Sequence, residues 1–195
     1  MRMKSRNDNR ERGAAMVEMA LVLPLLVLLV FGIVEYGLLF KEKLTIASAA
    51  TSAARTGATM GTRDAADFRM LRALEAGLYE QVDASVLISV DIFEADEITG
   101  VASATNVNTY FFTPDILPCK WTPCPDPDAP GGAVYGGTWV PANRDTELDA
   151  GGGGLSVLGI EIVYHHDAVT NLIPGVDRDL TERALVRLEP DTFGT

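Results

Sequence analysis

Cysteine is nearly absent from this 195-residue chain: Cys119 and Cys124 are the only two. A structural zinc site usually takes four ligands, so two cysteines with no histidine beside them do not make one. Histidine is as scarce. His165 and His166 are adjacent, and on a strand they face opposite sides and cannot meet at one ion. No phosphate-cradling glycine loop, no Gly-x-Ser-x-Gly turn and no Cys/His nucleophile pair occurs, so catalysis finds no support. Asp126-Pro127-Asp128-Ala129-Pro130-Gly131 starts like a calcium loop, but Pro130 replaces the third oxygen ligand and Gly137 stands where a bidentate Glu belongs. Only a looser site adding Asp115 stays open. The sequence therefore implies no enzyme, no metal and no cofactor.

Net positive charge is confined to the first residues of the chain. The net charge of -11 divides into +3 over residues 1–13, -2 over the apolar segment that follows (Glu18 and Glu35) and -12 over residues 41–195. Neutralising a phosphate backbone needs clustered Lys and Arg, which the acidic part lacks, and this excludes nucleic acid as a partner. The same asymmetry orients the chain in a membrane. A short basic end stays cytoplasmic and the long acidic part lies outside, N-in and C-out.

Long apolar runs occur in one place only. Between Glu18 and Glu35 lie sixteen residues, Met19 to Val34, without a charge. As a helix they rise about 24 Å, and their apolar flanks carry the stretch past the roughly 30 Å of a bilayer core. No polar face recurs at helical period, which sets it apart from a soluble core helix. The predicted organisation is a basic leader over residues 1–13, a transmembrane helix over 14–40, a helical region over 41–80 and a strand-rich ectodomain over 81–195 with a Pro/Gly-rich insertion at 113–154.

Three readings compete for the N-terminus: an ordinary secretory signal, a plain signal anchor, and a leader cut before the apolar run. For the first, Ala47-Ser48-Ala49 offers a cut, but the run is too long and Glu35 interrupts its approach. Glu18 favours the third. A carboxylate inside a span costs roughly 2.5 kcal/mol or more at the bilayer centre and less toward its edge, so it needs a partner. A cut after Gly13 frees an α-amine on Ala14 and makes Glu18 the fifth residue of the new helix. The two charges can then neutralise each other, most directly between neighbouring helices.

Gly13, four apolar residues and Glu18 resemble the processing site of Flp type pilins and pseudopilins of the tight-adherence (Tad) pilus system. Met19 stands where that pattern has an aromatic residue. Arg12-Gly13-Ala14-Ala15-Met16-Val17-Glu18 through Pro24, with Phe31-Gly32-Ile33-Val34-Glu35-Tyr36-Gly37, resemble the opening of TadE-like proteins, over residues 10 to about 60. The resemblance implies a non-catalytic minor pilin or pseudopilin in the cytoplasmic membrane, acting in pilus assembly for surface adhesion. Gly13 and Ala14 would form the prepilin-peptidase cut and Glu18 the charge partner for assembly. Implied partners are other pilins and pseudopilins, the prepilin peptidase, the membrane platform of the machine and the lipid bilayer. The alternative is an unprocessed single-pass anchor with a ligand- or protein-binding ectodomain.

Glu35 and Tyr36 are expected near the outer interface, where ring and carboxylate both reach water. Alanines and other small residues from Ala47 to Ala58 predict that the membrane helix continues to about Met60. Phe68, Leu71, Leu74 and Leu78 recur at three and four and predict a second helix, with Thr62 or Asp64 as cap. From Ser85 the period changes to two: Val86, Ile88, Val90 and Ile92 alternate with Leu87, Ser89, Asp91 and Phe93. Asn106 to Phe112 offers a hairpin partner. Val157 to Tyr164 and Leu180 to Glu189 read as two more strands. In an oxidising exterior, Cys119 and Cys124 are expected to form a short-loop disulfide. The fold class is α+β: a long N-terminal transmembrane helix continuing into a small ectodomain with a second helix and an antiparallel sheet of about four strands.

Overall fold

The computed structural model describes residues 5–78, 81–116, 119–147, 154–170 and 175–190, with side chains from residue 13 onward. Helix α1 runs Ser5–Met60 and includes Pro24. It ends where expected. Gly61 follows at φ 54° and its N–H donates to the Gly57 carbonyl (3.1 Å), a left-handed stop that costs glycine little.

The chain divides into two units, residues 1–40 with 167–177, and residues 41–166 with 178–195. In the first, α1 from Ala14 to Phe31 buries no side chain. In the second, the continuation of α1 turns Ile46, Ala49, Ala50, Ala53 and Ala54 into a shared core. Helix α2, Ala66–Leu78, adds Met70, Leu71, Leu74 and Leu78. The helices approach closely because Gly77 lies against Ala49. A Cβ on Gly77 would stand 2.8 Å from that of Ala49.

Five strands, β1 (Leu87–Ala95), β2 (Ala102–Phe112), β3 (Trp121–Thr122), β4 (Val157–His166) and β5 (Arg178–Arg187), form one antiparallel sheet in the order β3-β2-β1-β4-β5. Val90 pairs with Ile162 and Tyr110, and Ile92 with Ile160 and Asn108, which puts these side chains on the core face. The α+β class and the long helix are as expected. The extra strand, β3, is two residues inside the proline-rich insertion, too short to show a period. Its loop carries the expected Cys119–Cys124 disulfide.

Two predicted faces are corrected. The alternation of Val86, Ile88, Val90 and Ile92 fails at its start: Leu87 is buried and Ile88 exposed. The register against β4 shifts between Leu87 and Ser89, and one irregular residue exchanges the faces. In α2 the helix starts at Ala66, and its buried stripe holds Met70 and Asp67, with Phe68 only half-buried. Phe93 is also buried, though on the opposite face from Val90 and Ile92. Its ring occupies the space beside Gly159, directly across on β4, and the Arg183 guanidinium lies 5.0 Å above it.

Candidate functional site

The predicted cut site and charge partner lie on α1. Gly13 and Ala14 are exposed and helical, and a side chain at Gly13 would meet nothing within 4 Å. Glu18 is exposed on the same stretch and makes no hydrogen bond or ion pair with a described residue. Around it Met16, Val17, Met19, Leu21 and Val22 are all exposed, an apolar surface far larger than a protein keeps in water.

Glu35 is placed differently from the expectation. Tyr36 is half exposed, but Glu35 is 1 % exposed. Val169 and Thr170, at the start of the β4–β5 connection, meet it: Val169 N–H donates to Oε2 at 3.1 Å, and the N–H and hydroxyl of Thr170 both donate to Oε1. Charge-assisted bonds of this kind are the strong ones, and here they replace hydration of a carboxylate. Leu39, one turn further along α1, is also buried.

A second buried carboxylate went unread in the sequence. Asp67 on α2 is fully buried; it pairs with the Arg144 guanidinium and accepts hydrogen bonds from Asn108 Nδ2 (2.9 Å) and Tyr110 Oη (2.6 Å). Arg144 comes from the Pro/Gly-rich insertion and lies 4.7 Å over the Trp139 ring. Asn108 also bonds both backbone groups of Trp139, at 2.8 and 3.1 Å. Burial and the adjacent Asp67 charge push the Tyr110 hydroxyl well above its ordinary pKa. The insertion is thus fastened to helix and sheet at one buried charge pair, with a second attachment where Trp121 Nε1 donates to Glu75 Oε1 (2.7 Å). Gly136 and Gly137 lie so close to the Thr109 and Val107 carbonyls that no side chain fits. Asp67 does fall in phase with Met70, Leu71, Leu74 and Leu78, and that phase was the available signal.

The histidines behave as a strand end requires. His165 pairs with Asp179 (2.7 Å) and the buried His166 with Glu42, on opposite faces. Asp126 accepts the Asp128 N–H (3.0 Å) and closes its own turn. Asp115, Asp126 and Asp128 do not gather their carboxylates at one point.

One N-terminal apolar helix long enough to cross a bilayer, with nothing buried in its most apolar part and a folded α+β unit after it, fits a single-pass membrane protein. Residues 13–55 match the family model described as TadE-like protein. The match takes in Gly13, Glu18, Pro24 and Glu35, the positions that carried the resemblance, and ends before α2 and the sheet. No curated protein and no solved structure matches the chain. A TadE-like segment associates the chain with the Tad pilus system and, in general terms, with its components as partners.

Proposed function

We propose that this chain is a non-catalytic minor pilin or pseudopilin that acts in assembling a Tad-type pilus used for surface adhesion. The observation that carries the reading is Glu18: a carboxylate inside the TadE-like match, surrounded by exposed apolar side chains and unpaired among the described residues of its own chain. Such a group in lipid calls for a positive partner. A prepilin peptidase cutting between Gly13 and Ala14 would create one, the α-amine of Ala14. In an assembling filament the amine of one copy meets Glu18 of the next, and the pair sets axial register. The chain then sits in the cytoplasmic membrane, N-in and C-out, and meets other pilins, the peptidase and the membrane platform.

The mass of the protein purified from cells that hold the peptidase tests this. Loss of residues 1–13 and recovery of the chain in sheared filaments are the expected results. An intact leader with normal pilus formation would instead favour an unprocessed single-pass anchor bearing a binding ectodomain.

A further inference from the structure

Glu35 lies within an apolar stretch that does not end with it. Tyr36, Gly37, Leu38, Leu39 and Phe40 follow before Lys41, six residues and about 9 Å further along the axis. Tyr36 and Phe40 are 49 % and 58 % exposed. A segment hydrogen-bonded directly to Glu35 therefore lies at the level of side chains that face lipid, below the first base of the outer side. Val169 and Thr170, at the start of the β4–β5 connection, are that segment, and the sequence from Ala168 to Val176 holds no charge. Val169, whose N–H is bound by Glu35, turns its side chain outward and is 66 % exposed.

Each partner makes the other tolerable at this depth. A carboxylate near the hydrocarbon is costly to hold, and Val169 and Thr170 supply three donors in place of water. Irregular backbone at membrane depth must have its N–H groups satisfied by protein, and Glu35 satisfies two of them. A loop held only by packing would have no such reason to sit there.

We propose that Val169 and Thr170, at the start of the β4–β5 connection, form a second membrane contact, clamped to α1 by the Glu35 carboxylate so that the Val169 side chain rests in the outer interfacial layer of the bilayer. The occupant of this surface is lipid, because the exposed Val169 side chain continues the apolar surface of α1 at the level of Glu35. The proposal rests on the membrane-spanning reading of α1, and the test separates the two.

The full chain is reconstituted in phosphatidylcholine vesicles with a single introduced cysteine carrying an environment-sensitive fluorophore; the two native cysteines are disulfide-bonded. Val169→Cys is compared with Leu28→Cys in the span and with Ile98→Cys, which is 94 % exposed at the β1–β2 turn. Quenchers are a nitroxide lipid and aqueous iodide. The Val169 label should be quenched by the nitroxide as the Leu28 label is and protected from iodide, with Ile98 the reverse. Adding Glu35→Ala should cut the nitroxide quenching at Val169 at least about two-fold and leave Leu28 unchanged. Iodide quenching at Val169 with Leu28 still in lipid overturns the proposal alone. Protection from both quenchers overturns it in favour of a protein cover such as a second copy. Failure of lipid quenching at Leu28 overturns the membrane reading and the proposal with it.

Discussion

Glu18 and Glu35 interrupt the same apolar stretch of α1, yet they are opposites. Glu18 is exposed and pairs with no described residue, whereas Glu35 is buried and bound by two backbone N–H groups and a hydroxyl. Asp67, in the second unit, goes further still, with a guanidinium, an amide and a phenol around it. A carboxylate that its own chain has satisfied does structural work within the subunit. One that its own described residues leave bare is open to another molecule, and this difference supports the assembly role proposed for Glu18 and the clamp role proposed for Glu35.

The contrast breaks most visibly at Asp67. Asp67→Ala leaves the Arg144 charge buried without its partner and should cost about 3–5 kcal/mol, read as a lower unfolding midpoint of the full chain in detergent micelles. If stability is unchanged, a buried carboxylate of this chain is not a structural anchor. Glu35→Ala should have a smaller and local effect, about 1–3 kcal/mol, because two N–H groups lose their acceptor. Hydrogen exchange at the Val169 and Thr170 amides should accelerate while the β1 amides stay protected.

A neutral buried group supplies the control. Tyr164 buries a hydroxyl that has no hydrogen-bond partner among the described residues, and burial with the nearby Glu182 and Glu42 charges pushes its pKa up to about 12. The folded protein then holds the phenol proton more tightly than the unfolded chain does. That share of stability is complete below pH 10 and is lost as pH rises from about 10 toward 12. Tyr164→Phe should stabilise by about 1 kcal/mol and flatten the alkaline loss in a pH series of denaturation midpoints. The smallest effect on the fold belongs to Glu18→Ala, which should leave thermal unfolding, insertion and cleavage unchanged and still abolish pilus assembly. Normal piliation in that variant would sink the pairing role.

Much of the architecture was legible because it depends on neighbours in sequence. A hydrophobic run without polar period marked a helix long enough to span a bilayer, alanines extended α1 to Met60, and a period of two marked β1, β4 and β5, while β2 was expected only as a hairpin partner. Ile88 shows the limit: the residues around it alternate well, but a register shift against β4 turned it outward. β3 was invisible for a related reason. Two residues beside prolines have no period, and Trp121–Thr122 becomes a strand only because Phe111 and Phe112 lie alongside.

By itself the sequence determined an apolar helix long enough to cross a bilayer, the charge asymmetry around it, the TadE-like opening with Gly13 and Glu18, and a disulfide between its only two cysteines. Helical and strand periods act over a few residues, and a span is set by composition alone, so these needed no knowledge of the fold. Which carboxylates are satisfied was decided by tertiary structure only. Asp67 finds Asn108 across 41 residues and Arg144 across 77, and Glu35 finds Val169 across 134. Contacts at such separations exist only once the sheet order and the helix beneath it have brought the segments together, and no local pattern encodes them.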